Sequence, residues 1–325
     1  MLKRIFLVSI VLVLLVAGCS KNVDPEPDPV DASPSDQREA FAPNIEHSDL
    51  FTITIDNNPG ARPQTGLNLA QRIYEVPVEG GITRFIAFYL HEEVDKIGPV
   101  RSAREDFLDL ILPYDSAFAH CGGAKEAITR IARDINKDLD EINNTPFAFY
   151  RDNSRKAPHN LYTSTELLNK AYERRGFTEM TEFRFEQSIK GDFSSENATS
   201  FSIPYFRSNS YNYKISYEYS SSLRKYIRYT NDSYHELTDD QSLMANGVIV
   251  IKVDFQTLSN GGMDLKTIGE NTAYVFYGGN YIETKWRKNS ASEHFTFLID
   301  GSFVEINNPG FIFHILPKDR SINID

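Results

Sequence analysis

Cysteine is almost absent from this chain: Cys19 and Cys121 are the whole complement in 325 residues. With Cys19 consumed at a processed N-terminus, no intramolecular disulfide can form and the fold rests on its core. Positive charge is also scarce, with 34 Lys and Arg against 45 Asp and Glu and a formal net charge of -11. The deficit deepens once Lys3 and Arg4 leave with a leader, and it excludes a general attraction for nucleic acid or anionic lipid. No His-Glu-x-x-His, Gly-x-Ser-x-Gly or Walker sequence occurs, so the residues select no metal set, no cofactor and no reaction class. What is present is 41% apolar and 12% aromatic residues, enough for one large core or two smaller ones.

Residues 1–18 read as a signal peptide, with Lys3 and Arg4 before an apolar run over 5–16. That run is short of the roughly 20 residues that span a bilayer. The string Val16-Ala17-Gly18-Cys19 resembles a bacterial lipobox, in which the cysteine takes acyl chains such as palmitate and becomes the new N-terminus. The plainer alternatives are a transmembrane anchor or cleavage without lipidation. Residues 19–42 then form an acidic tether, expected to be disordered, in which Pro25, Pro27, Pro29 and Pro34 stand among carboxylates. At about 3.1 Å per residue it would hold a domain up to roughly 70 Å from the membrane.

The remaining pattern predicts an α+β protein: a mixed α/β region over 43–180, a linker over 181–200 and a mainly antiparallel β region over 201–325. Strands are expected at 51–56, 82–90, 116–120 and 147–152, and an edge or bulged strand at 73–78 because Pro77 cannot donate to a ladder. A helix is expected behind a capping box of Ser102 and Glu105, a second over 124–135, and a third capped by Thr163 with Glu166. Beyond residue 200 short alternating stretches at 211–219, 248–255, 273–277, 281–286, 294–299 and 302–306 are separated by turn residues.

Polar chemistry concentrates between Asp56 and Arg104, where turn formers alternate with arginines and carboxylates. Arg62, Arg84, Arg101 and Arg104, with Thr83, Ser102 and Arg151, are candidates to bind an anionic ligand, since guanidinium groups donate paired hydrogen bonds to carboxylate or phosphate. The same arginines could instead pair structurally with Glu75, Glu79 or Glu105. Candidate acids and bases are Glu75, Glu79, His120 and His159, although a loop histidine outside any His-x-x-His spacing is often a plain hydrogen-bonding residue. Cys121 beside His120 invites a thiol-enzyme reading, but strand neighbours point to opposite faces, which favours a buried free cysteine.

Several strings carry a resemblance to a known family: Ala61-Arg62-Pro63-Gln64-x-Gly66-Leu67, Tyr74-Glu75-x-x-Val78-Glu79-Gly80-Gly81-Ile82-Thr83-Arg84-Phe85, Ile97-Gly98-Pro99-Val100-Arg101-Ser102-Ala103-Arg104, Arg151-Asp152 with Ala157-Pro158-His159-Asn160-Leu161, and Gly261-Gly262-Met263. On these the chain resembles the YerB-type bacterial lipoproteins, found mainly in Gram-positive bacteria. The resemblance implies a lipid-anchored, extracytoplasmic protein of paired N- and C-terminal regions, requires no cysteine at 121, and brings no activity. Three functions follow in order: binding an anionic or saccharide envelope ligand, or an envelope protein, through an arginine-lined groove; an extracytoplasmic hydrolase or transferase using Glu75, Glu79 and a histidine; and a solute-binding lipoprotein.

Overall fold

The computed structural model describes residues 50–90, 92–178, 181–186, 193, 196–206, 213–259 and 263–325. The leader, Cys19, the acidic tether and Gly261-Gly262 lie outside the described residues.

Strand residues make up 45% and helical residues 15%, so the class is α+β weighted strongly toward β. In the first half the strands are β1 (Leu50–Asp56), β2 (Arg72–Val78), β3 (Ile82–Leu90), β4 (Ala117–His120) and β5 (Asp138–Asp140). The helices are α1 (Leu108–Ile111), α2 (Lys125–Asp134) and α3 (Thr165–Arg174). The five strands lie in the order β2-β3-β1-β4-β5, with β1, β4 and β5 mutually parallel. The same sheet continues past β2 into the second half, through Phe311–Pro317, Gly247–Thr257, Gly269–Tyr277, Asn280–Lys288 and Thr296–Ile299 to Ser302–Val304. Phe311–Pro317 is parallel to both of its neighbours, a departure from the antiparallel second half that the sequence pattern predicts.

A second sheet contains Lys225–Thr230, Ile215–Ser220 and Ser200–Ile203, and it covers one face of the first. Alternation along β2 decides what enters that interface: Ile73 joins the core between the sheets, while Tyr74 and Val76 join the core beneath α1 and α2. Phe201 and Phe276 stack across the interface with centroids 3.6 Å apart. Of the stretch between the halves, Phe183 and Phe185 pack against the helix-side core, and Glu196–Asn197 pairs with the Asn280–Lys288 strand.

Four local expectations are corrected. No capping box forms at Ser102; the helix begins as a 3-10 turn at Glu105–Phe107 with Arg104 in the capping position and no side-chain cap. Backbone pairing claims this segment first, because Ala103 N donates to Gly122 O. At α3 the cap is Ser164, whose hydroxyl accepts from Leu167 N at 3.1 Å, while the Thr163 hydroxyl turns to Ala148 O. In place of a strand over 147–152 there is a 3-10 turn, Pro146–Ala148, and a two-residue strand, Tyr150–Arg151. β2 is interior to the sheet, yet its pairing with Phe311–Pro317 runs only from Arg72 to Glu75, so Pro77 stands where no ladder donor is required on that side.

Candidate functional site

The carboxyl ends of β1 and β4 present Asp56 and His120, and the segment 98–104 is laid across them by backbone hydrogen bonds. Asp56 N donates to Pro99 O (2.8 Å), Arg101 N to Thr54 O (2.9 Å) and Cys121 N to Arg101 O (3.1 Å). Gly98 is needed for this crossing: at φ 149° a Cβ would lie 2.8 Å from Leu161 O. Loops 57–66 and 152–160 close over the same edge. Arg155 ties them together, donating to Pro63 O (2.7 Å), Arg62 O (3.1 Å) and Gly60 O (3.3 Å). Each of the three loop segments contains one cis prolyl bond, Arg62-Pro63, Gly98-Pro99 and Ala157-Pro158.

Asp56 is the centre of the arrangement, with a side chain only 1% exposed. Its Oδ1 accepts from Asn58 N (3.0 Å), and its Oδ2 accepts from His159 Nδ1 (2.7 Å). Arg101 Nε lies 3.1 Å from the same Oδ2 but off the line of a hydrogen bond, so charge rather than directional bonding holds it there. The two terminal nitrogens of Arg101 meet no hydrogen-bond partner among the described residues, and its side chain is 27% exposed.

The neighbouring arginines are more fully engaged. Arg104 grips Glu79 with two nitrogens, and Arg84, nearly buried, donates to Ser102 O (2.8 Å) and lies 3.5 Å from Glu79. Burial, and then the Arg104 charge, bring the Arg84 guanidinium down to about 10. Burial works against the Glu79 carboxylate, but its hydrogen bonds to Arg104 outweigh that and hold it at about 2. Arg62 donates to Asn57 Oδ1 (3.0 Å) and Asn57 O (3.2 Å), with its guanidinium 5.1 Å from the Tyr213 ring centroid. Arg84 and Arg104 thus meet Glu79 and Arg101 meets Asp56, whereas Arg62 and Arg155 hold an amide, carbonyls and the Tyr162 hydroxyl, with Glu75 adding its charge to the surroundings of Arg62.

Other candidates lie elsewhere. Glu75 and Thr83 are fully buried between the sheets, where Glu75 accepts from Arg228 Nη2 at 3.0 and 2.9 Å and from the Thr83 hydroxyl at 2.7 Å. Burial opposes the Glu75 charge, yet Arg228 keeps its pKa below the ordinary carboxylate value. His314, whose nitrogens meet Tyr205 (2.8 Å) and Tyr217 (2.9 Å), is held neutral down to about 4 by burial. Glu75 and Glu79 therefore do not share an open face. His120 is fully buried, with Nδ1 2.8 Å from Gly122 O and Nε2 2.9 Å from Asp138. Burial and then Glu141 push the Cys121 thiol up to about 11, away from thiolate chemistry. Arg151 is exposed, reaching Asn160 (3.2 Å) and lying 3.5 Å from Glu141. Among the described residues no group of three or more His, Cys, Asp and Glu could hold a metal ion.

Sequence reading missed Asp56 as the organising carboxylate, and Arg155 as the tie between loops. Asp56-Asn57-Asn58 directly after a strand was the available signal, because strand ends and turns at the carboxyl edge of parallel strands are where ligands gather. Two clefts lie apart from this cluster, one of about 230 Å³ beside Leu69, Gln71 and Phe311, and one of about 490 Å³ beside Tyr114, Phe183 and His294.

Residues 39–178 match the family described as protein of unknown function (DUF3048) N-terminal domain, and residues 202–312 match its C-terminal domain. A Bacillus subtilis (strain 168) protein named "Putative lipoprotein YerB" is 30% identical over 259 residues, covering 73% of this chain and 72% of the relative. The crystal structure of YerB protein from Bacillus subtilis matches with a TM-score of 0.74 at 25% identity, covering 85% of this chain and 93% of that one. Homology to a protein so named suggests a lipoprotein, lipid-anchored and outside the cytoplasm. With both regions matched in order and the shared fold extending across them, the chain belongs to the DUF3048 family of YerB-type proteins.

Proposed function

We propose that the protein is anchored to the cell membrane through lipid on Cys19 and uses the Asp56 edge to grip an anionic group on an envelope polymer. The observation that carries this reading is the gathering of five arginines at one edge of a chain whose net charge is -11, with Arg62 and Arg155 in no ion pair among the described residues. Arg101 is the gripping residue, because its outer nitrogens have no partner among the described residues and its inner one faces Asp56. The lipobox string and the relative's name support the address; a Gram-positive source belongs to the same reading.

The test compares co-sedimentation of the wild-type chain and Arg101→Gln with isolated cell envelopes at rising salt. Binding that weakens with salt and falls about tenfold in the variant, with an unchanged melting temperature, supports the reading. Equal binding by both proteins overturns it.

One observation favours a second, enzymatic reading: Asp56 holds His159 by Nδ1, leaving Nε2 with no partner among the described residues, as in a general base. Here Asp56 replaces Glu75 and Glu79 as the carboxylate. Incubation with purified envelope polymers and mass spectrometry checks it; fragments that His159→Gln fails to release favour an enzyme, and an absence of fragments from the wild type removes it.

A further inference from the structure

Resting on the anion-gripping reading, we infer that the ligand carries a hydroxyl beside its anionic oxygen, Arg101 taking the anion and His159 Nε2 taking the hydroxyl. Both groups hang from one atom, since Asp56 Oδ2 receives His159 Nδ1 at 2.7 Å and faces Arg101 Nε at 3.1 Å. Their outer ends therefore lie within the reach of one sugar-sized ligand. The carboxylate is buried and its other oxygen is fixed by Asn58 N, so it cannot swing away.

Polarity completes the receptor. A neutral imidazole that donates through Nδ1 has only a lone pair at Nε2, and a guanidinium has only donors. The site thus offers donors and an acceptor side by side. A bare anion meets the first and leaves the second idle; an oxyanion with a neighbouring hydroxyl meets both. Gly60 lies against the same ring edge: a Cβ there would stand 3.2 Å from both Nε2 and Cδ2 of His159 and 3.3 Å from Asn58 Oδ1, so a larger residue would crowd Nε2.

His159 pairs with Asp56 from β1, which Arg101 of the crossing segment also faces, and its own loop carries Asp152, Arg155 and Lys156, with Arg62 on the loop that Arg155 ties to it. Arg62 and Arg155 are occupied by Asn57 and by carbonyls and the Tyr162 hydroxyl, so Arg101 is the arginine left to meet the ligand. The chemical class is a sugar acid or a polyol phosphate, which share an oxyanion beside a hydroxyl.

Calorimetry on the full chain in detergent micelles tests this with two probe pairs, glucuronate against cyclohexanecarboxylate and glycerol 3-phosphate against propyl phosphate. The expected result is that the hydroxylated member of at least one pair binds about tenfold tighter, and which pair responds separates carboxylate from phosphate. His159→Phe should abolish the preference, and Gly60→Ala, whose Cβ would crowd Nε2, should reduce it. Anions that bind without preference overturn the inference while the anion grip stands. Failure of all four probes removes both.

Discussion

Arg84, Arg101 and Arg104 carry the same charge within a short stretch, and their acids set them apart. Arg104 and Arg84 share Glu79, while Arg101 leans on Asp56 through one nitrogen and its other two have no partner among the described residues. This has a consequence for acid stability. The Glu79 pKa is depressed to about 2 in the fold, so its contribution is complete above the unfolded carboxyl value of about 4.3 and is lost as pH falls through about 2. Glu79 is 40% exposed and screened by solvent, so the slope should be shallow. Urea midpoints measured between about pH 4 and about pH 2 should decline less steeply in Glu79→Gln than in the wild type. At Cys121 the raised pKa leaves roughly a hundredth of the thiolate of an unhindered cysteine, so alkylation by iodoacetamide at neutral pH should be slowed to a comparable degree. Arg101 and His159 could be singled out from the sequence as arginine and loop histidine. That they hang on one carboxylate could not, because Asp56 and His159 lie on separate segments brought together only by the fold.

Between elements, the buried pair of Glu75 on β2 and Arg228 on Lys225–Thr230 fastens the two sheets. Both side chains are fully buried, so removing one partner leaves an uncompensated charge. Glu75→Gln or Arg228→Met should each cost about 3–5 kcal/mol in urea denaturation, and the joint replacement Glu75→Leu with Arg228→Met should cost less than either. The Lys225–Thr230 strand was legible in principle, with Tyr226, Arg228 and Thr230 on the inward face, although an inward arginine disguises the pattern. Phe311–Pro317 was not among the expected strands: His314 interrupts its apolar residues, although the flanking runs are those of a strand buried on both faces. The Ser102 capping box failed for another reason: pairing with Gly122 held the segment extended until Arg104.

At the scale of the molecule, the two family regions contribute strands to a single sheet, joined where β2 pairs with Phe311–Pro317. A fragment of residues 45–180 would expose that flank of β2 and also the face carrying Ile73 and Glu75, which the second sheet covers in the whole chain. Expressed alone it should give collapsed amide NMR dispersion, and adding a fragment of residues 196–325 should restore native-like shifts. A well-dispersed spectrum from the first fragment by itself would contradict this account.

The sequence by itself determined the local vocabulary: most strands, α2, the turns, the address carried by residues 1–42 as an expectation, and a stretch dense in arginine. Those follow from periodicity, backbone preference and charge, which act among near neighbours. Only the tertiary structure decided that Phe311–Pro317 sits between Gly247–Thr257 and β2, that Glu75 is sealed by Arg228, and that Arg101 meets Asp56 while Arg84 and Arg104 share Glu79. Each of those depends on which distant strand or acid arrives beside a residue, and burial then fixes its charge and its reach.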